Sequence, residues 1–327
     1  MAPDFPLLRF EEVSKWYGPV LALNQVCWEF SGGIVGLVGA NGAGKSTFLR
    51  LAAGQIRPTL GSVTVAGREA WDWRSRRLIG YCPAADAFFY DLTGREFVYV
   101  MARLCGFSAR QAHKATAAVL ERLHMTTFAH RPIYGYSRGM RQKVKLAQAL
   151  VHQPPLLILD EPLAGIDPLG RHELIQLFRE LHQQGHALLI SSHELEALEQ
   201  LTDSVLILSQ GRVAAAGTIR DIRAQLQAWP ITVRIDVDAP RQLARHLIEW
   251  SEVLAIEWPA AASPQHFPSS SPFTTDTLLV RICNPAVFFT RLTQLLAQGH
   301  WNVRHLEPLD ESAHALLGYL LGGPGKT

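Results

Sequence analysis

Cysteine is scarce. The 327 residues hold four (Cys27, Cys82, Cys105 and Cys283), scattered, with no C-x-x-C pair and no histidine at ligand spacing. That distribution argues against a disulfide framework or a cysteine–histidine metal centre and fits reduced thiols in a cytosolic setting. Charge of one sign is also missing. The formal net charge is +2, too near neutral to suggest nucleic acid or an anionic surface as the partner on charge alone. No apolar run approaches the ~18 residues of a membrane span, so work at a membrane would need another chain to cross it. Met1–Pro6 carry neither a basic stretch nor a long apolar core, and no secretory leader is expected. What remains is an ordinary globular composition, 48% apolar and 18% charged, with chain enough for about two domains.

One stretch organises the rest. Ile34-Val35-Gly36-Leu37-Val38 reads as a buried strand, Phe48–Ala53 as a helix, and between them lie Gly39, Ala40, Asn41, Gly42, Ala43, Gly44, Lys45, Ser46 and Thr47. The spacing is G-x-x-x-x-G-K-S, the P-loop pattern. Glycines let the backbone turn tightly, so that successive N–H groups converge, and the following helix adds its positive dipole end. Lys45 can reach the β- and γ-phosphates, and the Ser46 hydroxyl can ligate Mg²⁺. The expected ligands are therefore a nucleoside triphosphate and Mg²⁺.

Along the chain, Leu8–Val13 and Val26–Phe30 read as strands around a Ser14–Pro19 connection, and Gly61–Gly67 as a third. From about 84 to 150 the texture is helical. Capping boxes at Thr93/Glu96 and Ser108/Gln111 open two helices, and a third begins near Ser137. Continuous apolar runs at 156–159, 187–190 and 204–208, separated by helical stretches at 168–184 and 193–201, are of the kind parallel sheets use. The expectation is an α/β domain over 1–227 with a helical subdomain at about 84–150. Residues 228–327 read differently, as strand, helix, strand, a Ser/Pro/Thr-rich loop at 261–276, then strand, helix, strand. That order predicts a small α+β, ferredoxin-like domain, with a last helix at 314–321 packed onto it. Trp229, Trp250, Trp258 and Trp301 are expected in its core rather than in a ligand box.

Three further features stand at set distances from the P-loop. Leu157-Ile158-Leu159-Asp160-Glu161-Pro162 ends a buried strand in two carboxylates. Asp160 is placed to hold Mg²⁺ through water, and Glu161 to orient or deprotonate an attacking water. Tyr136-Ser137-Arg138-Gly139-Met140-Arg141-Gln142 lies ahead of that strand, and Ser191-Ser192-His193-Glu194 follows the next one.

In this order the motifs resemble the ATP-binding subunits of ABC transporters, over about residues 7–220. The resemblance implies that Tyr17 stacks on adenine, that His193 contacts the γ-phosphate, and that Gly165-Ile166-Asp167 crosses a dimer interface. It also implies that Ser137 and Gly139 bind the γ-phosphate of ATP held by a second subunit. Two such domains, head to tail, would sandwich two ATP molecules. The segments around Tyr81-Cys82-Pro83 and Ser137 look most like export-type subunits, including the lipid-exporting A subfamily and bacterial multidrug or lipid exporters. The implied protein is an ATPase motor on the inner face of the cell membrane. It would pair with a second ATP-binding subunit and serve a separate permease, whose cytoplasmic helix would meet residues near 84–100.

Two positions depart from the family pattern. Arg138 replaces the first signature glycine. Ala84 stands where the family has a glutamine that reaches Mg²⁺, so either a neighbour such as Asp86 substitutes or the site couples or hydrolyses more weakly. A regulatory ATP-binding subunit with weak hydrolysis is therefore the alternative. A soluble non-transport ABC ATPase fits less well, because the 92 positions from Lys45 to Ser137 contain no heptad run.

Overall fold

The computed structural model describes residues 6–193, 198–226, 231–258, 276–298 and 301–308. It divides into two compact units, Met1–Thr218 and Ile219–Thr327.

The first unit contains two sheets. Strands β1 (Leu8–Tyr17), β2 (Val20–Phe30), β4 (Leu60–Val65) and β5 (Arg68–Glu69) form an antiparallel sheet in the order β2-β1-β4-β5. The first hairpin is longer than its alternation suggests. Both strands run on to a turn at Gly18-Pro19, where Ser14–Pro19 had been expected to connect shorter strands. Register shifts between Phe10 and Val13, and again before Lys15, break the two-residue period, and Glu12 takes a φ of 48° there.

The second sheet has the order β10-β9-β3-β8-β7-β6, with β3 (Ile34–Val38) flanked by β8 (Ala187–Ser192) and β9 (Ser204–Ser209). Strands β6 (Ile79–Cys82), β7 (Leu156–Leu159), β8, β3 and β9 are parallel, and β10 (Arg212–Thr218) closes one edge antiparallel. Every residue of β7 is buried, which is why that strand reads as an unbroken apolar run. Helix α1 (Lys45–Ala52) lies between the sheets: Phe48 stacks on Phe10 at 4.1 Å, and one core joins residues of both sheets through Phe48, Leu49 and Leu51.

The helical region holds α2 (Trp73–Arg76) before β6 and then α3 (Gly94–Leu104), α4 (Ala109–Arg122) and α5 (Arg138–Leu150). Both capping boxes form as the sequence predicts. Helix α6 (Pro168–Gln183) joins β7 to β8.

The second unit begins with α7 (Ile219–Leu226) and continues as β11 (Ile231–Val237), α8 (Pro240–Leu247), β12 (Val253–Glu257), β13 (Thr277–Ile282), α9 (Pro285–Gln298) and β14 (Val303–Pro308). The sheet order β12-β13-β11-β14, antiparallel throughout, is the expected ferredoxin-like arrangement. Val233, Ile235 and Val237 alternate into a core with Leu243, Leu247, Phe288 and Leu292. Trp250 and Trp301 pack against that core, whereas Trp258 is exposed. Trp229, the helix at 314–321 and nearly all of the loop at 261–276 fall outside the described residues. No described helix is long and apolar enough to cross a membrane.

Candidate functional site

The P-loop leaves β3 at the carboxyl end of the parallel sheet, where open α/β folds hold their ligands. Gly39, Ala43 and Lys45 are buried, while Asn41, Gly42 and Ser46 are exposed. Gly44, at the N-cap of α1, has a φ of 104°, and a Cβ there would meet Ala22 O and the Leu23 side chain of β2. Only glycine fits that turn. The amide of Gly211 donates to Ala43 O at 3.1 Å, and its carbonyl accepts from Asn24 N at 2.8 Å, which ties the β1–β2 hairpin to the loop. Tyr17, at the tip of that hairpin, is 44% exposed, with the Lys15 ammonium 5.5 Å from its ring centre.

Helix α1 has no side-chain N-cap, so its first-turn N–H groups are left to the loop. Lys45 folds back, donating to Gly39 O at 2.7 Å and Ala40 O at 3.2 Å. Burial pushes its ammonium below the ordinary lysine range, against the opposing pull of Glu161 and Asp160. Among the described residues no carboxylate lies within ion-pair distance of it. A buried ammonium held only by carbonyl oxygens is a cation in want of an anion.

The acidic pair sits at the end of β7, beside β6 and β8. Asp160 is buried; its amide donates to Cys82 O at 2.8 Å, and its Oδ1 accepts from Ser191 Oγ at 2.7 Å. The same Ser191 oxygen accepts from Glu161 N at 2.8 Å. Glu161 has a φ of 50°, a strained conformation for a residue with a Cβ, of the kind that collects at working sites. Its Oε2 lies 2.8 Å from His193 Nδ1. Lys45, Asp160, Glu161 and His193, predicted from separate motifs, therefore gather at one end of the sheet. Ser191, fully buried, is the member that motif reading passed over. Its signal is a polar residue ending the apolar run Ala187–Ile190.

The signature residues lie elsewhere. Ser137 caps α5, its Oγ accepting from Met140 N at 3.3 Å, and Gly139 has open space where a Cβ would point. Among the described residues no hydrogen bond joins Ser137 or Gly139 to the P-loop, Asp160 or Glu161. Asp167 caps α6 through Gly170 N at 2.9 Å. Arg138 has a structural use: its guanidinium lies over Gly165, which holds a φ of 64°, where any Cβ would collide with it. Asp86, expected as a substitute for the missing glutamine, instead turns its carboxylate to α5, with Arg141 and Lys145 each 3.2 Å away.

One surface was not anticipated. Trp71 and Trp73 are 40% and 58% exposed beside a hollow lined by Gln55, Ile56, Arg57 and Arg76. Arg57 stacks 3.9 Å above Trp71. The sequence offers W-D-W-R-S-R-R there.

Residues 23–164 match the family model described as ABC transporter. The chain is 38% identical over 230 residues to the uncharacterized ABC transporter ATP-binding protein YxlF of Bacillus subtilis, an alignment spanning 70% of this chain and 77% of that protein. It is 32% identical over 225 residues to the linearmycin resistance ATP-binding protein LnrL of the same organism, spanning 67% and 72%. A solved ATP-binding subunit of an ABC transporter superposes with a TM-score of 0.62 at 33% identity, covering 67% of this chain and 93% of the other. The chain belongs to the ATP-binding subunits of ABC transporters, and its first unit is the ABC ATPase domain of that family.

Proposed function

We propose that the chain is the ATP-hydrolysing motor subunit of an exporter, driving a separate membrane permease from the inner face of the cell membrane. The observation that carries the catalytic part is the 2.8 Å contact between Glu161 and His193 beside the buried Lys45. Lys45 and the first-turn amides of α1, with the backbone of Gly39, Asn41, Gly42, Ala43, Gly44 and Thr47, would hold the phosphates. Ser46 and Asp160 supply two hard oxygen donors. Mg²⁺, which keeps waters and shares phosphate oxygens rather than filling an all-protein cage, suits that sparse set. When bound it would neutralise charge developing on the phosphates. Glu161 would take the proton of the attacking water while His193 fixes its carboxylate, and Ser191 holds Asp160 and the Glu161 amide in register. Tyr17 would stack on the base.

Among the described residues Ser137 and Gly139 make no hydrogen bond to this chain's own P-loop; they would complete the site of a second copy, with Asp167 at the junction. ATP binding would then draw two copies together and hydrolysis release them. Export rather than import is favoured by the likeness to LnrL, whose name records resistance to linearmycin. The permease helix is assigned to residues near 84–100. Trp71, Trp73 and Arg57 are of the types that anchor protein interfaces. The second unit is assigned to dimer stabilisation or regulation.

Glu161→Gln should retain ATP binding, lose about 10²–10⁴-fold in turnover and accumulate ATP-bound dimers. Turnover like the parent's would remove Glu161 from its role. Ala84 favours one rival, a regulatory subunit that binds ATP and scarcely hydrolyses it. Steady-state ATPase with and without the membrane partner separates the two, since the rival stays near background in both.

A further inference from the structure

Asp86 lies in the loop that leaves β6, and that loop is fastened to α5 at several points. Lys145 Nζ donates to Ala84 O at 2.9 Å and lies 3.2 Å from Asp86 Oδ1. Arg141, one helical turn earlier on the same face of α5, reaches Asp86 Oδ2 at 3.2 Å. Gln142 Nε2 donates to Cys82 Sγ at 3.5 Å. Lys145 is almost fully buried, and Asp86 is the carboxylate that compensates it.

The two ends of this fastening matter. On one side, Cys82 O accepts from the amide of Asp160, so the loop begins at the strand that carries the acidic pair. On the other, α5 is the helix that Ser137 caps. A continuous path of short contacts therefore runs from Asp160 through Cys82 and the Ala84–Asp86 loop to Arg141 and Lys145, and along α5 to the signature turn. An alanine at position 84 can neither ligate a metal nor orient water, so whatever the loop conveys must pass through its backbone and Asp86. Both carboxylate oxygens of Asp86 are turned to α5 cations, which is the geometry of a strut rather than of a metal ligand.

We propose that Asp86 is a positioning residue, linking the Asp160 end of β7 to the Ser137 turn, so that the signature is presented to a second copy only when the loop is held. The inference rests on the proposed function, in which Ser137 of one copy completes the site of another. It predicts that losing the strut spares nucleotide binding by a single copy and damages pairing and turnover.

The test uses the full chain with Asp86→Asn, read in three ways: affinity for ATP at protein concentrations where the chain is monomeric, ATP-driven dimerisation in a Glu161→Gln background, and steady-state kcat and KM. The expected result is an ATP affinity within about two-fold of the parent, at least ten-fold weaker dimerisation and a kcat reduced about ten-fold. Asp86→Glu should restore most of both. Because an uncompensated Lys145 could unsettle the fold, Asp86→Leu combined with Lys145→Met supplies an apolar pair at the same place. It should melt near the parent's temperature and still pair poorly. Parent-like pairing by Asp86→Asn, or by the double variant, overturns the strut. So does a loss of ATP affinity equal to the loss of pairing, which would place Asp86 at the nucleotide. If the Glu161→Gln chain with Asp86 intact does not dimerise with ATP, the paired-copy reading itself fails, and the strut with it.

Discussion

Lys45 in the first unit is buried against two carbonyl oxygens, whereas Arg234 in the second is buried against a carboxylate that meets it with both oxygens. Arg234 and Asp236 stand two residues apart on β11, on one face of the sheet, while Val233, Ile235 and Val237 point into the core on the other. Thr277 Oγ donates to Asp236 at 2.6 Å. Burial raises the Asp236 pKa, but the bonds from Arg234 and Thr277 outweigh it and leave the carboxyl below its ordinary value. The second unit thus neutralises its buried charge internally, as a structural element does. The first leaves a cation, a strained glutamate and an open helix terminus facing one place, and that difference in compensation separates a site from a core.

The comparison is sharpest in stability. Asp236→Ala should remove the carboxylate that meets the buried Arg234 with both oxygens and cost the second unit about 3–5 kcal/mol, read by urea unfolding with amide exchange over β11 and β13. Lys45→Met should leave the first unit as stable as before or more so, since it removes a buried charge without a carboxylate partner. Equal destabilisation by both would erase the distinction drawn here. In binding the order reverses. Lys45→Ala should weaken ATP binding by about 100-fold or more, on the order of 2.7 kcal/mol, whereas Asp236→Ala should leave it unchanged. A smaller effect is expected at Gly165, where alanine must hold a left-handed conformation costing about 1–2 kcal/mol and displace Arg138; melting of the first unit reads it.

The smallest effect concerns thiols. Burial drives Cys82 up to about 12, so at pH 8 it stays protonated and unreactive, while exposed Cys27 is free to react. A thiol reagent should label Cys27 in the native protein and reach Cys82 only on unfolding. Early labelling of Cys82 would show that the β6–α5 junction opens.

Much of this was legible in the sequence, for identifiable reasons. Phosphate binding demands particular residues at fixed spacing, so Gly39–Thr47 and Asp160–Glu161 declare themselves. Capping boxes are local, and Thr93 and Ser108 fix their helices without help from the rest of the fold. The unbroken run of β7 announces burial on both faces. What stayed hidden depends on partners distant in sequence. Ser191 gains meaning only because β8 lies beside β7, 31 residues from Asp160. Asp86 reads as a substitute for the missing glutamine until α5 brings Arg141 and Lys145 to it. Arg138 looks like a departure from a glycine motif until Gly165 is found beneath its guanidinium. The bulges at Glu12 and before Lys15 conceal half of the first hairpin, because they break the very alternation by which strands are read.

The central claim is that one chain holds half a site and its copy the other half. Mixing two inactive variants tests it directly: Lys45→Ala, which spoils the P-loop side, and Ser137→Arg, which blocks the signature side. Each alone should be without ATPase activity. Mixed in equal amounts they should recover a substantial fraction of the parent's rate, because one of the two shared sites in a mixed pair has both its loop and its signature intact. Activity in Ser137→Arg alone, or no recovery on mixing when sizing shows that mixed pairs form, would contradict the account.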